Sequence, residues 1–409
     1  MKAERKRFLL AGVAAVLACM QFTACSGGSS SSGSSSSSSA ADSSSAADVS
    51  EAGSSSAADE GGDSSGAMMS SEEIVKSAAA AGMVGNWGLG NEYEIQALLT
   101  KYGLPTDYIT QDFTMDQFDS DSVTLASAMT YNELGLVKNS YDGGYGYGDS
   151  VSVIDMNDEG VAMLEDNLFT SKAFAEANPN TVKAFVSASM KGWAYACEHP
   201  DEAAEIVFEA GSSVSADHQA YMADEVAKLV TTNTKGETVS DYGYMDPDAM
   251  QQTLDLAKKY VTLDDSAAAK KLQDTTLDSF RDTSYYDAAE ASADGTEAVT
   301  ASDGSDLGTP EKSDVSIQLK WLPDAQFMGY YVALDKGYYD EVGLNVNIVS
   351  GGGDISETTA VNNGTVDFGV TWFTNLISAD AGGMNLVEVS QIFQRSGLVL
   401  VYKLDNYSK

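Results

Sequence analysis

Aromatic, amide and acidic side chains recur shortly after segments that have the pattern of β-strands. Aromatic faces with a few directional polar groups suit a planar heterocycle, and a carboxylate accepts hydrogen bonds from the N–H groups of an aminopyrimidine. A sulfonate or nitrate site is expected to show more cationic or hydroxyl donors, and Arg395 is the one cation that we place nearby. We therefore predict a ligand-binding site without metal or cofactor, formed by Trp87, Asn91, Glu92, Tyr131, Asn132, Glu133, Trp321, Asp324, Gln326, Tyr330, Asp354, Trp372, Asn375 and Gln394.

The composition narrows the classes of partner. The 409 residues carry 23 Lys+Arg against 61 Asp+Glu, a formal net charge of −38, and 43% of the residues are hydrophobic. A chain this apolar can fold into two modest domains, whereas a surface this acidic repels phosphate backbones, so nucleic acid is excluded as a partner. Two histidines and three cysteines leave little for zinc, iron–sulfur or disulfide chemistry.

The first residues are typical of a targeting segment. A basic start is followed by an apolar run at 8–18 that is too short to span a bilayer, and Cys25 precedes a Ser/Gly-rich stretch. This arrangement resembles a bacterial lipoprotein signal, and an ordinary secretory signal is the alternative. We predict a signal peptide at 1–24, lipidation of Cys25, a disordered tether at 25–69, and attachment to the extracytoplasmic face of the cell membrane by the lipid anchor alone.

Two blocks of alternating strands and helices follow, at 70–289 and 314–409. Strands are predicted at 83–87, 108–113, 122–128, 315–321, 344–349, 366–370, 387–393 and 398–402, and from residue 157 the first block is predicted to be helical, with His199 and His218 exposed to solvent. Short strand–helix connections indicate parallel sheets, in which ligands bind at the carboxyl ends of the strands. The predicted fold class is α/β.

Several segments of both blocks together resemble one family, the transporter substrate-binding proteins related to thiamine pyrimidine synthase and to aliphatic sulfonate-binding proteins. The segments are 318–327 (QLKWLPDAQF), 329–333 (GYYVA), 336–339 (KGYY), 367–370 (DFGV), 391–397 (QIFQRSG), 84–93 (VGNWGLGNEY), 128–133 (AMTYNE) and 160–166 (GVAMLED). The resemblance implies a two-lobed, type II periplasmic-binding-protein-like fold with a hinge, and ABC permease subunits as partners.

The two blocks stand in the opposite order from that of the family, whose members begin with the segment equivalent to 314–409. We therefore interpret the chain as a circular permutant, with an acidic linker at 290–313 that joins the ancestral ends; a tandem array cut short is the alternative. The predicted smaller lobe is 70–150, the larger lobe combines 151–289 with 314–409, and one main covalent crossing joins them.

The function expected from the resemblance is that of a solute receptor that binds a planar heterocycle, with a thiamine pyrimidine precursor as first choice. Riboflavin, an alkanesulfonate or nitrate are alternative solutes, and a sensor or adhesion lipoprotein is an alternative use of the same fold. Enzymatic relatives use a histidine in the helix after the third strand and a cysteine-rich iron-binding loop. The matching helix position here is Asn375 and no cysteine cluster exists, so we expect no enzyme.

Overall fold

Two five-stranded sheets form the framework of the protein. The computed structural model describes residues 68–287 and 307–408. The predicted signal peptide, Cys25, most of the tether and most of the linker therefore lie outside the described residues. The strands are β1 (Val84–Asn86), β2 (Ile109–Thr110), β3 (Leu125–Met129), β4 (Val151–Asp155), β5 (Asp166–Ser171), β6 (Asp314–Gln318), β7 (Asn345–Val349), β8 (Phe368–Trp372), β9 (Leu386–Gln391) and β10 (Leu398–Lys403).

The first sheet has the order β2-β1-β3-β10-β4, and the second has the order β7-β6-β8-β5-β9. Strands β1, β2 and β3 are parallel to one another, as are β6, β7 and β8. In each sheet one central strand runs the other way: β10 is antiparallel to β3 and β4, and β5 is antiparallel to β8 and β9. The predicted α/β class with mainly parallel, two-lobed architecture is confirmed.

Helices cover the sheets. They are α1 (Ser71–Ala81), α2 (Glu92–Lys101), α3 (Asp116–Asp119), α4 (Glu133–Lys138), α5 (Lys172–Ala177), α6 (Pro179–Glu198), α7 (Pro200–Glu209), α8 (Ala216–Thr231), α9 (Pro247–Tyr260), α10 (Ser266–Asp274), α11 (Leu277–Phe280), α12 (Ser284–Asp287), α13 (Met328–Asp335), α14 (Tyr338–Glu341), α15 (Glu357–Asn362) and α16 (Phe373–Ala381). Within the described ranges, none of these helices has the length and apolar character that a membrane crossing requires.

The longest helix shows how the sequence builds the core. Pro179 occupies the first helical position of α6, where its missing N–H costs nothing. The apolar face that the helical spacing predicts, from Val182 through Phe185 to Trp193, is fully buried. The Phe185 ring stacks on that of Phe368 in β8 with 4.0 Å between centroids, so this face fixes α6 against the second sheet.

The structure corrects the predicted division into lobes. We call 68–155 with 398–408 the first lobe, because β4 and β10 complete the first sheet although both were assigned to the larger lobe. The remaining described residues of the second sheet and its helices, 166–287 and 307–391, form the second lobe. Two segments, 156–165 and 392–397, cross between the lobes, so the expectation of one main crossing is wrong. Sequence order alone does not specify which sheet a central antiparallel strand joins.

The segment predicted to be helical from residue 157 contains a strand, β5, ahead of its helices α5 to α12. β5 is buried along nearly its whole length between β8 and β9. Because both faces of β5 are covered, its sequence DNLFTS shows no alternation of apolar and polar residues. Polar side chains at the start of β5 replace the apolar pattern on which the prediction relied.

Candidate functional site

A cavity of about 630 Å³ lies between the two lobes. Nine of the fourteen predicted site residues line it: Trp87, Glu92, Tyr131, Asn132 and Glu133 from the first lobe, and Trp321, Gln326, Trp372 and Asn375 from the second. Tyr93, Phe113, Lys320 and Glu357 also line it and were not predicted. The lining is therefore rich in aromatic rings and in hydrogen-bond acceptors.

The carboxyl ends of parallel strands bring these side chains together. Trp87 directly follows β1, Tyr131 lies two residues beyond the end of β3, and Trp372 is the last residue of β8. Trp321 lies three residues beyond the end of β6. Four strands from two sheets thus deliver their aromatic residues to one cleft, as strand ends do in open α/β sheets.

Glu133 lies at the start of α4 and is 8% exposed. Its carboxylate accepts hydrogen bonds from the backbone N–H of Met129 at 2.9 Å and from Asn132 Nδ2 at 3.0 Å. Burial raises the pKa of Glu133 to about 7, against the lowering effect of the Met129 hydrogen bond. The side chain is consequently held in one orientation at the cavity wall, and it ionises near neutral pH.

Gln326 lines the cavity from the second lobe. Its Nε2 donates to both carboxylate oxygens of Asp166, at 3.0 Å each. Asp166 is the first residue of β5 and is 1% exposed, and burial raises its pKa to about 7. Asp166 was not among the predicted site residues, because it falls in the segment that was predicted to be helical.

Lys320 is the one cation among the described residues that line the cavity, and it is not among the predicted site residues. Its Nζ lies 4.5 Å from the centroid of the Trp372 ring and 3.6 Å from Glu357 Oε1. Glu357 also accepts a hydrogen bond from the Thr371 hydroxyl. Arg395, the predicted nearby cation, instead forms an ion pair at 2.9 Å with the Asp155 carboxylate at the end of β4 and does not line the cavity.

Five predicted site residues do not line the cavity. Asp354 is exposed, whereas Gln394 is buried and donates to two backbone carbonyls. Tyr330 packs edge-on against a core tryptophan with 5.6 Å between ring centroids. Asn91 is buried next to the Met129 sulfur. Asp324 is buried as well, its carboxylate accepts a backbone N–H at 2.9 Å, and burial raises its pKa to about 8.

The lobes touch each other at the edge of the cavity. The Thr374 hydroxyl at the start of α16 donates to the Gly90 carbonyl at 2.7 Å, and Asn375 Nδ2 donates to the Leu89 carbonyl at 3.3 Å. Elsewhere on the rim, the rings of Phe113 and Trp321 lie 5.3 Å apart. Asn375 therefore lines the cavity and also joins the lobes, so the structure is that of a closed cleft.

The backbone at Gly90 depends on glycine. Its φ of +117° lies in the left-handed region, and a Cβ atom there would lie 2.1 Å from Asn375 Oδ1. The close approach of the 88–90 loop to α16 is therefore possible only without a side chain at this position.

The two crossing segments are tied to each other by hydrogen bonds. Asn157 Nδ2 donates to the Ser396 carbonyl at 2.9 Å, and the Gly397 N–H donates to Glu165 Oε2 at 3.0 Å. Glu94 on α2 accepts the Met163 N–H at 2.8 Å. Burial raises the pKa of Glu94 to about 8 and that of Glu165 well above its usual range, each raised further by a neighbouring carboxylate.

His218 is buried, which corrects the expectation that it is solvated. It lies in the first turn of α8, which packs against α4 of the first lobe, and 1% of it is exposed. Its Nε2 lies 2.8 Å from Asn132 Oδ1 and its Nδ1 lies 2.6 Å from the Tyr141 hydroxyl. Burial lowers its pKa to about 4, so the ring is neutral at neutral pH, and it contacts Asn132, which lines the cavity.

A family model described as NMT1/THI5 like matches residues 73–203 and 324–407, which together make up more than half of the chain. The matched ranges contain most of the cavity lining, and Lys320 and Trp321 lie just before the second range. None of the curated proteins matches the chain.

Proposed function

Because the chain belongs to the NMT1/THI5-like family, we propose that it is the extracytoplasmic solute-binding protein of an ABC importer. The solute is a planar nitrogen heterocycle, and an aminopyrimidine precursor of thiamine is the first candidate. The family is consistent with solute binding, and the two-lobed fold is suited to closing on a small molecule.

The observation that carries this proposal is the chemistry of the cavity wall. Six aromatic residues line it. Three acidic residues, Glu92, Glu133 and Glu357, also line it, against one cation among the described lining residues. That cation, Lys320, is already engaged by Glu357 and by the face of Trp372. Acceptors without free cations favour a ligand that donates N–H groups, and aromatic faces favour one that is planar.

Riboflavin is the second candidate. It is also planar, and the six aromatic residues together with a cavity of about 630 Å³ support a ligand larger than one pyrimidine ring. An alkanesulfonate or nitrate is disfavoured, because either anion would meet Glu92, Glu133 and Glu357 with one engaged lysine to offset them.

Receptor function is preferred to thiamine pyrimidine synthesis. The helix position that is a histidine in enzymatic relatives corresponds to Asn375, whose amide contacts the opposite lobe. No histidine or cysteine is among the described residues that line the cavity. We therefore expect no hydroxymethylpyrimidine product when the protein is incubated with pyridoxal phosphate and iron.

We also propose that the chain is a circular permutant anchored through a lipid on Cys25. Strands from both blocks share each sheet, which supports one folded unit rather than the start of a second copy. Met68 and Ser408 form an antiparallel bridge, and the Met69 N–H lies 3.4 Å from the Tyr407 carbonyl. Described ends that lie side by side are what a permutation of this fold needs.

Ligand titrations test the proposed function. An aminopyrimidine thiamine precursor is expected to quench the fluorescence of the cavity tryptophans and to raise the melting temperature. At a hundredfold excess over its Kd, binding adds about 2.7 kcal/mol to the free energy of unfolding. Tight binding of riboflavin without a response to the pyrimidine would reject the first candidate and keep the receptor class. A response to taurine or nitrate, with none to any heterocycle, would reject the argument from the aromatic lining.

A further inference from the structure

The Gln326 side chain is held at the cavity wall by one partner. Its Nε2 lies 3.0 Å from each oxygen of the Asp166 carboxylate, a two-oxygen contact that uses the donor end of the amide. Both residues are deeply buried, at 4% and 1% exposure. The orientation of the amide is therefore set by Asp166 and not by solvent.

The opposite end of the same amide is directed away from Asp166. The Gln326 carbonyl oxygen accepts no hydrogen bond from the described residues, although the residue lines the cavity. Because its N–H₂ group is directed at the Asp166 carboxylate, the amide presents its carbonyl oxygen, an acceptor, to a ligand. A ligand N–H group matches that acceptor, whereas a ligand carbonyl would leave both oxygens unpaired.

We infer that Asp166 is a positioning residue for ligand recognition: it holds Gln326 so that the amide presents its carbonyl oxygen to the bound molecule. Selectivity for a ligand that donates at this point over one that accepts there follows from this orientation. Asp166 does not itself line the cavity, and it acts through Gln326.

Protonation of Asp166 reverses this polarity. A protonated carboxyl can donate to the Gln326 carbonyl, which turns the amide so that its N–H₂ group faces the cavity. Burial raises the pKa of Asp166 to about 7, so both states are accessible near neutral pH. Among the charged groups near this carboxyl, Lys320 favours its ionisation and Glu357 opposes it. The other ionisable groups that interact with it electrostatically are Asp324, Glu165, Tyr131 and Tyr330.

The first test uses two ligands and rests on the proposed function. The affinities of 4-aminopyrimidine and of pyrimidin-4-one, which exchanges the exocyclic donor for an acceptor, are measured at pH 8. Asp166→Asn keeps the shape and lets an amide donate to Gln326, so the preference for the amino compound is expected to fall about tenfold. Asp367→Asn is the matched control, because Asp367 is buried in the same lobe, bonds Lys312 and does not line the cavity.

Equal weakening of both ligands by Asp166→Asn would overturn the inference, because a purely structural role predicts no change in the ratio. Gln326→Met provides a second variant, should Asp166→Asn fail to fold. It removes donor and acceptor at similar length and is expected to abolish the preference. A preference that survives Gln326→Met would also overturn the inference.

A second test needs no ligand and therefore separates this inference from the proposed function. The side-chain amide signal of Gln326 in nitrogen-15 NMR is assigned by its loss in Gln326→Met. It is expected to shift between pH 6 and pH 8 in the wild-type protein and to stay constant in Asp166→Asn. A signal that does not titrate in the wild-type protein refutes control by Asp166, whichever solute the protein binds.

Discussion

Replacing Glu133 by Gln tests the role of the buried carboxylate at the cavity wall. The change keeps the size of the side chain but removes its charge. Either the Met129 N–H or Asn132 Nδ2, which now donate to the carboxylate, must then face the N–H₂ group of the new amide, which is also a donor. A hydrogen bond to a charged group contributes roughly 1.5–3 kcal/mol, so binding of an aminopyrimidine should weaken roughly 10- to 150-fold.

Calorimetric titration at pH 8 measures this loss, because the pKa of Glu133 is about 7 and its carboxylate is then ionised. At pH 6 the wild-type group is largely protonated, so the difference between wild type and variant should narrow. Glu341→Gln, the same change at a half-exposed carboxylate that pairs with the buried Lys191 and does not line the cavity, serves as control and should leave affinity unaltered. A folded Glu133→Gln variant with wild-type affinity at pH 8 would refute the reasoning.

The remaining predictions concern pH stability and lobe closure. Burial raises the pKa of Glu94 and Asp324 to about 8, so between pH 5 and pH 8 the folded state binds protons that the unfolded chain has released. The melting temperature should therefore fall as pH rises over this range, and a steady rise would contradict it; the lowered pKa of His218 opposes this trend only below about pH 6.5. Thr374→Val leaves the buried Gly90 carbonyl unpaired and should cost the closed form roughly 1–3 kcal/mol. Small-angle scattering should then give a larger radius of gyration than for the wild-type protein, and an unchanged radius would show that this bond does not hold the lobes together.

The sequence predicts the parallel part of the fold well, since strand ends and aromatic residues coincide. Trp87, Tyr131 and Trp372 could be placed at the cleft because each ends or follows a short apolar strand, and such ends meet at one edge of a parallel sheet. Of the two antiparallel strands, β10 was predicted at nearly its observed bounds, whereas β5 was not predicted. β5 carries Asp, Asn, Thr and Ser between two neighbours, and no periodic pattern distinguishes such a strand from a helix or loop.

Long-range pairing accounts for the other differences. Lys320 stands directly before Trp321 at a strand end, a signal that could have identified it, whereas the salt bridge of Arg395 with Asp155 joins residues 240 positions apart. The contact of α8 with α4, which buries His218, likewise depends on tertiary packing that local spacing does not encode. Residues that act through a neighbour, such as Asp166, become visible only in three dimensions.

A crystal structure of the protein with an aminopyrimidine thiamine precursor tests the central claim most directly. The ring is expected to lie in the cavity between the lobes against Trp87, Trp321 or Trp372, with an N–H group within about 3.2 Å of Glu133. A precursor bound elsewhere on the protein, or a cavity that stays empty at saturating precursor, would contradict the account.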